Sequence, residues 1–218
     1  MTFLIDQNYL TKTTQELVQI DSTNPLLSAE GRGEGEISTY VADALNALGL
    51  DVTRRELAPG RFNVVGTLKG KGEGRSLMLN AHMDTVGVEG MTIDPFGGEL
   101  RDGRVYGRGA QDMKGSLAAM LATAKTLVDA SLPLQGALII TAVADEEHSS
   151  LGSEAIVKEI HADAAIVTEP TDMHICRAHR GFVWYEVETI GRAAHGSRYN
   201  EGIDANMRMG RFLGELDK

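Results

Sequence analysis

The sequence predicts a three-layer α/β protein: a largely parallel mixed sheet covered by helices, followed by the start of an α+β domain. Three observations carry this. Apolar runs of strand length alternate with stretches of helical periodicity along most of the chain. The run GALIITAVA at 136–144 is continuously apolar, as expected of a strand covered on both faces. Glycine is abundant, at 25 residues, while aromatics are only 5%, which suits many short elements joined by tight turns better than a long bundle.

The elements follow in order. A first helix is expected around 7–20, ending before Asn24-Pro25. Ile37, Tyr40, Val41, Ala44, Leu45 and Leu48 recur at helical spacing and predict a helix over 36–48, stopped by Gly49. Strands are expected at 51–57, 62–68 and 76–81. The stretch GELRDGRVYG reads as a hairpin, because Asp102-Gly103 suits a two-residue turn. DMKGSLAAMLATAKTLVDA, residues 112–130, places Met113, Leu117, Met120, Leu121, Ala124, Leu127 and Val128 on one side of a helix. After the strand at 136–144 come a helix near 151–160 and a strand at 164–168. From Gly181 the texture changes: a long, partly alternating strand is expected in GFVWYEVETIGRAAHGS, then a helix after Asp204. GKGEGR at 70–75 lacks the spacing and Lys-Ser/Thr ending of a phosphate loop and reads as a turn.

A chain of 218 residues that is 42% hydrophobic can bury a sizeable core. Its net charge of −10 opposes binding to phosphate backbones and anionic lipid, so neither nucleic acid nor a membrane is expected as a partner. No apolar window long enough to span a bilayer occurs, and the N-terminal stretch lacks the basic and apolar regions of a secretory signal. The single cysteine, Cys176, has no internal disulfide partner, and a cytoplasmic location fits. Cys176 is expected to be a small buried residue rather than a nucleophile.

The chemistry gathers where apolar strands end. One strand ends at His82, a second at Asp145-Glu146-Glu147, a third at Glu169, and Asp112 opens the long helix. Ligand sites of α/β sheets lie at the carboxyl ends of the strands. Each signal alone has a plain reading: a hydrogen-bonded turn, a solvated cap, a helix N-cap, a loop acid. Together, one imidazole and several carboxylates are the ligand set of Zn²⁺, Co²⁺ or Mn²⁺.

AHMDTV (81–86), GRGAQDMKG (107–115), DEE (145–147), TEPT (168–171) and GRAAHGS (191–197) occur in this order. These five motifs, spread over essentially the whole chain, strongly resemble the acetylornithine deacetylase and succinyl-diaminopimelate desuccinylase family of co-catalytic zinc hydrolases, which includes carboxypeptidase G. The resemblance implies a zinc-exopeptidase-like catalytic, metal-binding domain over 1–180 and the beginning of a dimerisation or lid domain over 181–218. It implies two zinc ions, with cobalt or manganese as alternatives. His82 and Glu169 match ligands of one metal, Asp112 the bridging carboxylate, and Glu147 the ligand of the second. Asp84 matches the carboxylate that receives the other ring N–H of His82, Glu146 the general base, and His195 an oxyanion donor that often reaches in from a partner subunit. A cis peptide between Asp112 and Met113 is also implied. The implied substrate is a small N-acyl amino acid or short peptide, and the implied full-length assembly is a homodimer.

In the family, a further histidine for the second metal and an arginine for the substrate carboxylate come later than residue 218. The chain is therefore expected to be an N-terminal portion, with one tight metal and a weaker second one. His148, His161, His174 and His179 lie outside the ligand motifs and are expected to be structural or exposed. Three readings stay open: an acetylornithine deacetylase-like amidohydrolase, a carboxypeptidase or dipeptidase, and an inactive fragment or binding module. Glu146 weighs against the last, since a scaffold has no use for a general base.

Overall fold

The computed structural model describes residues 4–181, 183 and 185–218. The chain divides into two compact units, Met1–His174 and Ile175–Lys218.

The first unit opens with α1 (Gln7–Gln19), capped by Asp6, whose Oδ1 accepts the Tyr9 amide at 3.0 Å. α2 (Gly35–Ala47) buries Ile37, Val41 and Leu45 and stops before Gly49, which takes a positive φ of 79°. β1 (Asp51–Ala58) and β2 (Arg61–Leu68) follow, then β3 (Leu77–His82). β4 (Glu99–Arg101) and β5 (Arg104–Tyr106) form the expected hairpin, with Asp102 and Gly103 both at positive φ. α3 (Gly115–Asp129), β6 (Leu138–Val143), α4 (Leu151–Glu159) and β7 (Ala164–Val167) complete the unit.

The main sheet has the order β1-β2-β6-β3-β7. β3 runs parallel to β6 and β7, whereas β1–β2 and β2–β6 are antiparallel. Alternation along the strands separates two cores. Leu138, Ile140 and Ala142 of β6, with Leu79 and Ala81 of β3, pack against α1, α2 and α3. Met78, Ile139 and Val143 point the other way and meet Ile156 of α4. Helices on both faces make the three-layer arrangement the sequence predicts. Leu117, Met120 and Leu121 of α3 are all but inaccessible, and burying such side chains stabilises by about 1.5–3 kcal/mol each.

The long helix does not begin at Asp112. Residues Ala110–Lys114 form an irregular turn in which Asp112 (φ −120°, ψ 98°) and Met113 (φ −132°, ψ 34°) leave helical geometry, and the Asp112–Met113 peptide is cis. Regular helix starts three residues later.

The second unit contains a short 3-10 turn (Gly196–Glu201) and α5 (Ala205–Leu216), capped by Asp204, which accepts the Met207 amide at 3.1 Å. The long strand expected from 181 is not found among the described residues, and Phe182 and Trp184 of that stretch lie outside them. Only an isolated bridge joins Arg192 and Ile203. A strand needs a hydrogen-bonding neighbour, and Tyr185 and Ile190 stand exposed instead. Cys176 is exposed, not buried. The segment around it forms no helix or strand, so it has no core to enter, and Ile175 beside it is exposed as well.

Candidate metal centre

The parallel strands share a register that brings their carboxyl ends to one edge. His82 pairs with Val143, and Asn80 with Val167. His82 therefore ends β3 beside the loop that leaves β6 through Asp145, Glu146 and Glu147, and beside Glu169 just past β7. The irregular turn before α3 delivers Asp112 to the same place.

His82 is buried, at 2% exposure. Its Nδ1 lies 2.9 Å from the carbonyl oxygen of Asp84, which can only accept, so Nδ1 carries a hydrogen. Nε2 faces the carboxylates: Asp112 Oδ1 at 3.1 Å, Glu169 Oε1 at 3.7 Å and Glu146 Oε2 at 3.8 Å. Ligand atoms of His82, Asp112 and Glu169 lie within 4.8 Å of one another.

Crowding sets the electrostatics. Burial alone lowers the pKa of His82, but the hydrogen bond to Asp112 and the charges of Asp84, Glu169 and Glu146 push it up to about 9. Glu147 is pushed up to about 7 by burial, reinforced by Asp112, Asp84 and Glu146 against the opposing His82. Burial likewise raises Glu169, with His82 opposing and Asp112 and Glu146 adding to the rise. Asp112 is held low, first by its hydrogen bond to His82. A lone imidazole so enclosed by acids is a site short of positive charge.

The position of Asp84 differs from expectation in one respect. The main-chain carbonyl, not the carboxylate, takes the His82 ring N–H; the carboxylate oxygen stands 3.6 Å from Nδ1. That carboxylate is occupied elsewhere. Its Oδ1 accepts the Glu146 amide at 3.0 Å, and its Oδ2 accepts the Glu147 amide at 3.2 Å and Asn24 Nδ2 at 2.7 Å.

Four further residues, not singled out from the sequence, tie the same loop down. Arg61, at the start of β2, forks onto Glu34 at 2.6 and 2.7 Å and reaches Asp145 Oδ1 at 3.0 Å. Glu34 Oε1 accepts the Asp145 amide at 3.1 Å. Asn24 Nδ2 also donates to Asp145 Oδ1, at 2.9 Å. Asn63 of β2 accepts the Ala144 amide at 3.0 Å and donates to the Gly152 carbonyl at 2.9 Å. A charge inside an otherwise apolar strand, Arg61 ahead of FNVV, is the one sequence signal that points to such a network.

Beside Asp112 lies an open depression of about 400 Å³, lined by residues 107–112 and Pro170. His195 sits in the second unit. It is exposed, and its Nδ1 accepts the Ser197 amide at 3.3 Å, which leaves Nε2 to carry the hydrogen of a neutral ring. His148, His161, His174 and His179 are all exposed.

The model of peptidase family M20/M25/M40 matches residues 78–205, which hold every strand-end residue described above and His195. The chain belongs to that family. Its relatives include the N-formyl-4-amino-5-aminomethyl-2-methylpyrimidine deformylase of Bacillus subtilis, 34% identical over 94% of this chain and 53% of the relative. The acetylornithine deacetylase of Myxococcus xanthus is 32% identical over 95% of this chain and 54% of its own length. Among solved structures, a tripeptidase from Staphylococcus aureus superposes with a TM-score of 0.70 at 25% identity, covering 96% of this chain and 56% of the other. The M20 chain thus spans about half the length of the curated relatives it matches. Among its described residues, no helix is long and apolar enough to cross a membrane.

Proposed function

We propose that the protein is a metal-dependent hydrolase that cleaves the amide bond of a small N-acyl compound, an N-acyl amino acid in the first instance. The observation that carries this is the convergence of His82, Asp112 and Glu169 within 4.8 Å, with Glu146 at the same imidazole. The residues fit a divalent zinc-like ion: one neutral-capable imidazole with a fixed tautomer, carboxylates around it, and an excess of negative charge that a cation relieves.

His82, Asp112 and Glu169 would hold one ion, and Asp112 with Glu147 would contribute to a second; cobalt or manganese suits the same donors. Such ions, when bound, acidify water and polarise a carbonyl oxygen. The protein's own residues do the rest. Asp84 fixes the ring of His82 through its carbonyl and the amides of Glu146 and Glu147 through its carboxylate. Glu146 serves as general base, taking a proton from the attacking water and delivering it to the leaving amine. His195 is read from the family resemblance as the oxyanion donor through Nε2–H, a group that in the family often comes from a partner subunit. The chain is read as the catalytic domain (1–180) with the first part of a dimerisation or lid domain (181–218), and the complete protein as a cytoplasmic homodimer.

Relatives named as a deformylase, a deacetylase and a tripeptidase all support an amide bond as the target while leaving the acyl group open. The deacetylase-like reading leads. A carboxypeptidase or dipeptidase is the second, favoured by the likeness to the tripeptidase.

The test is direct. Zn²⁺ is titrated into the metal-free chain and into His82→Ala, and hydrolysis of N-acetyl and N-formyl amino acids is followed with the wild type and Glu146→Gln. We expect binding by the wild type, loss of binding in His82→Ala, and Glu146→Gln that binds metal without turnover. A wild-type chain that takes up no Zn²⁺, or a Glu146→Gln variant as active as wild type, overturns the proposal.

A further inference from the structure

We infer that Arg61 and Glu34 are positioning residues for Glu146 and Glu147: their buried ion pair sets the backbone of the loop that leaves β6, and with it the two acidic side chains at the metal centre. The inference rests on the proposed roles of Glu146 and Glu147 and adds the device that aims them.

Three consecutive amides open this loop, and each ends on a buried carboxylate. The Asp145 amide goes to Glu34, and the Glu146 and Glu147 amides go to Asp84. The two carboxylates are linked. Arg61 grips Glu34 with two nitrogens and shares Nη2 with Asp145 Oδ1, which also accepts Asn24 Nδ2; Asn24 then joins Asp84. Ser149 closes the far side of the loop by donating its hydroxyl to Asp145 Oδ2. Within this frame Asp145 holds a φ of 63°, an uncommon conformation for a non-glycine residue but one that aspartate adopts more readily than most.

Stability alone does not call for this pair. The side chains of Arg61 and Glu34 are 7% and 0% exposed. Two charges withdrawn this far from water gain little over well-packed apolar residues of the same size, because desolvation offsets their attraction. What an apolar pair lacks is direction. A planar fork fixed on two carboxylates specifies where Asp145 lies, and Glu146 and Glu147 follow it along the chain. Arg61's side-chain partners are Glu34 and Asp145, neither of them a proposed metal ligand.

The experiment compares wild type, Arg61→Lys, Glu34→Gln and, as an exposed control on the neighbouring strand, Arg55→Met. Lysine keeps the charge but has no fork; glutamine keeps the shape but loses the ion. Should Arg61→Lys fail to fold, Glu34→Gln carries the test. Two readouts are taken on the full 218-residue chain: amide hydrogen exchange resolved by residue, and the visible spectrum and affinity of Co²⁺ added to the metal-free protein. We expect the Asp145, Glu146 and Glu147 amides of Arg61→Lys and Glu34→Gln to exchange about tenfold faster relative to core amides such as Ile140. We expect Co²⁺ affinity to fall about tenfold or more with an altered spectrum, and Arg55→Met to match wild type in both.

Acceleration shared equally by core and loop amides, with an unchanged Co²⁺ spectrum, means a merely structural pair and overturns the inference. So does a wild-type loop in the folded variants. If the wild type binds no Co²⁺, the proposed function fails while the exchange data still decide whether the pair holds the loop.

Discussion

His82 donates its Nδ1–H to the carbonyl oxygen of Asp84, two residues ahead in the chain, at 2.9 Å. The backbone thus fixes the ring, and the Asp84 carboxylate is free to gather Asn24 and the amides of Glu146 and Glu147. The two ends of one residue do separate work: its main chain aims the imidazole, its side chain aims the acids. Asp84→Asn keeps the carbonyl but replaces one acceptor oxygen with a donor that faces N–H groups. We expect a folded variant whose ring geometry persists and whose Zn²⁺ affinity falls about 10–100-fold, measured by competition with a chromophoric chelator. Affinity equal to wild type shows that the carboxylate has no part in the site.

Metal uptake is expected to release protons. His82, raised to about 9, is mostly protonated at pH 7, and Glu147, at about 7, is half protonated. Both must lose their protons to act as ligands. Calorimetry of Zn²⁺ binding in buffers of different ionisation enthalpy is expected to show between about one and about two protons released in filling the site at pH 7, and affinity rising from pH 6 to pH 9. Release of no protons contradicts the enclosed, acid-surrounded imidazole. The same shift acts on the metal-free fold. A histidine raised above its ordinary 6.5 contributes stability that is full below pH 6.5 and is lost as pH climbs through 9. Zinc is expected to stabilise most in that upper range.

Much of this architecture was legible before any coordinates. Helical spacing, apolar runs and the Asp102-Gly103 turn signal located the regular helices and strands of the first unit, because a buried face writes itself into the residue pattern, and the polar breaks after the apolar strands marked His82, Asp145–Glu147 and Glu169. What stayed hidden depends on contacts between distant residues. The apolar spacing of α3 runs on smoothly through Met113, so nothing in it shows that Asp112 departs from the helix to reach His82. Arg61 and Glu34 are 27 residues apart, and although a charge at the head of an apolar strand marks Arg61, nothing in the sequence pairs it with Glu34. Val183, Val187 and Ile190 have strand character, yet a strand forms only where a second one pairs with it.

Lys114 offers a test of the buried region below the site. It is fully buried, donates to the Ile20 carbonyl at 2.7 Å, and is lowered by burial to about 8, Asp21 opposing only in part. The sign follows from linkage. Below pH 8 the lysine is charged in folded and unfolded chains alike, and the fold carries the full burial cost. Between 8 and its ordinary 10.5 the folded chain releases the proton first, and stability rises with pH. Lys114→Met removes this slope. Urea unfolding across pH 7.5–10.5 is expected to show wild type gaining about 3 kcal/mol relative to Lys114→Met. Parallel curves for the two chains show that the ammonium is not buried as described.

Gly152 tests the other anchor of the Glu146 loop. It opens α4 against the end of β6, where Asn63 binds both the Ala144 amide and the Gly152 carbonyl. A Cβ placed there meets the Ala144 nitrogen at 2.4 Å, its oxygen at 2.5 Å and Asn63 Oδ1 at 2.5 Å. Two of these are backbone atoms of Ala144, just past β6, and cannot swing away as a side chain would, so the helix must move off the strand or the Asn63 clamp must open. Gly152→Ala is expected to destabilise by about 1–3 kcal/mol in urea unfolding. Gly214→Ala, with nothing near its added carbon, serves as the control and is expected to be neutral or slightly stabilising. Because the same clamp borders Asp145–Ser150, the Gly152→Ala chain is also expected to bind Zn²⁺ more weakly than the control. A destabilised variant with unchanged Zn²⁺ affinity would place the loop's support wholly in the Arg61–Glu34 network and none of it in the start of α4.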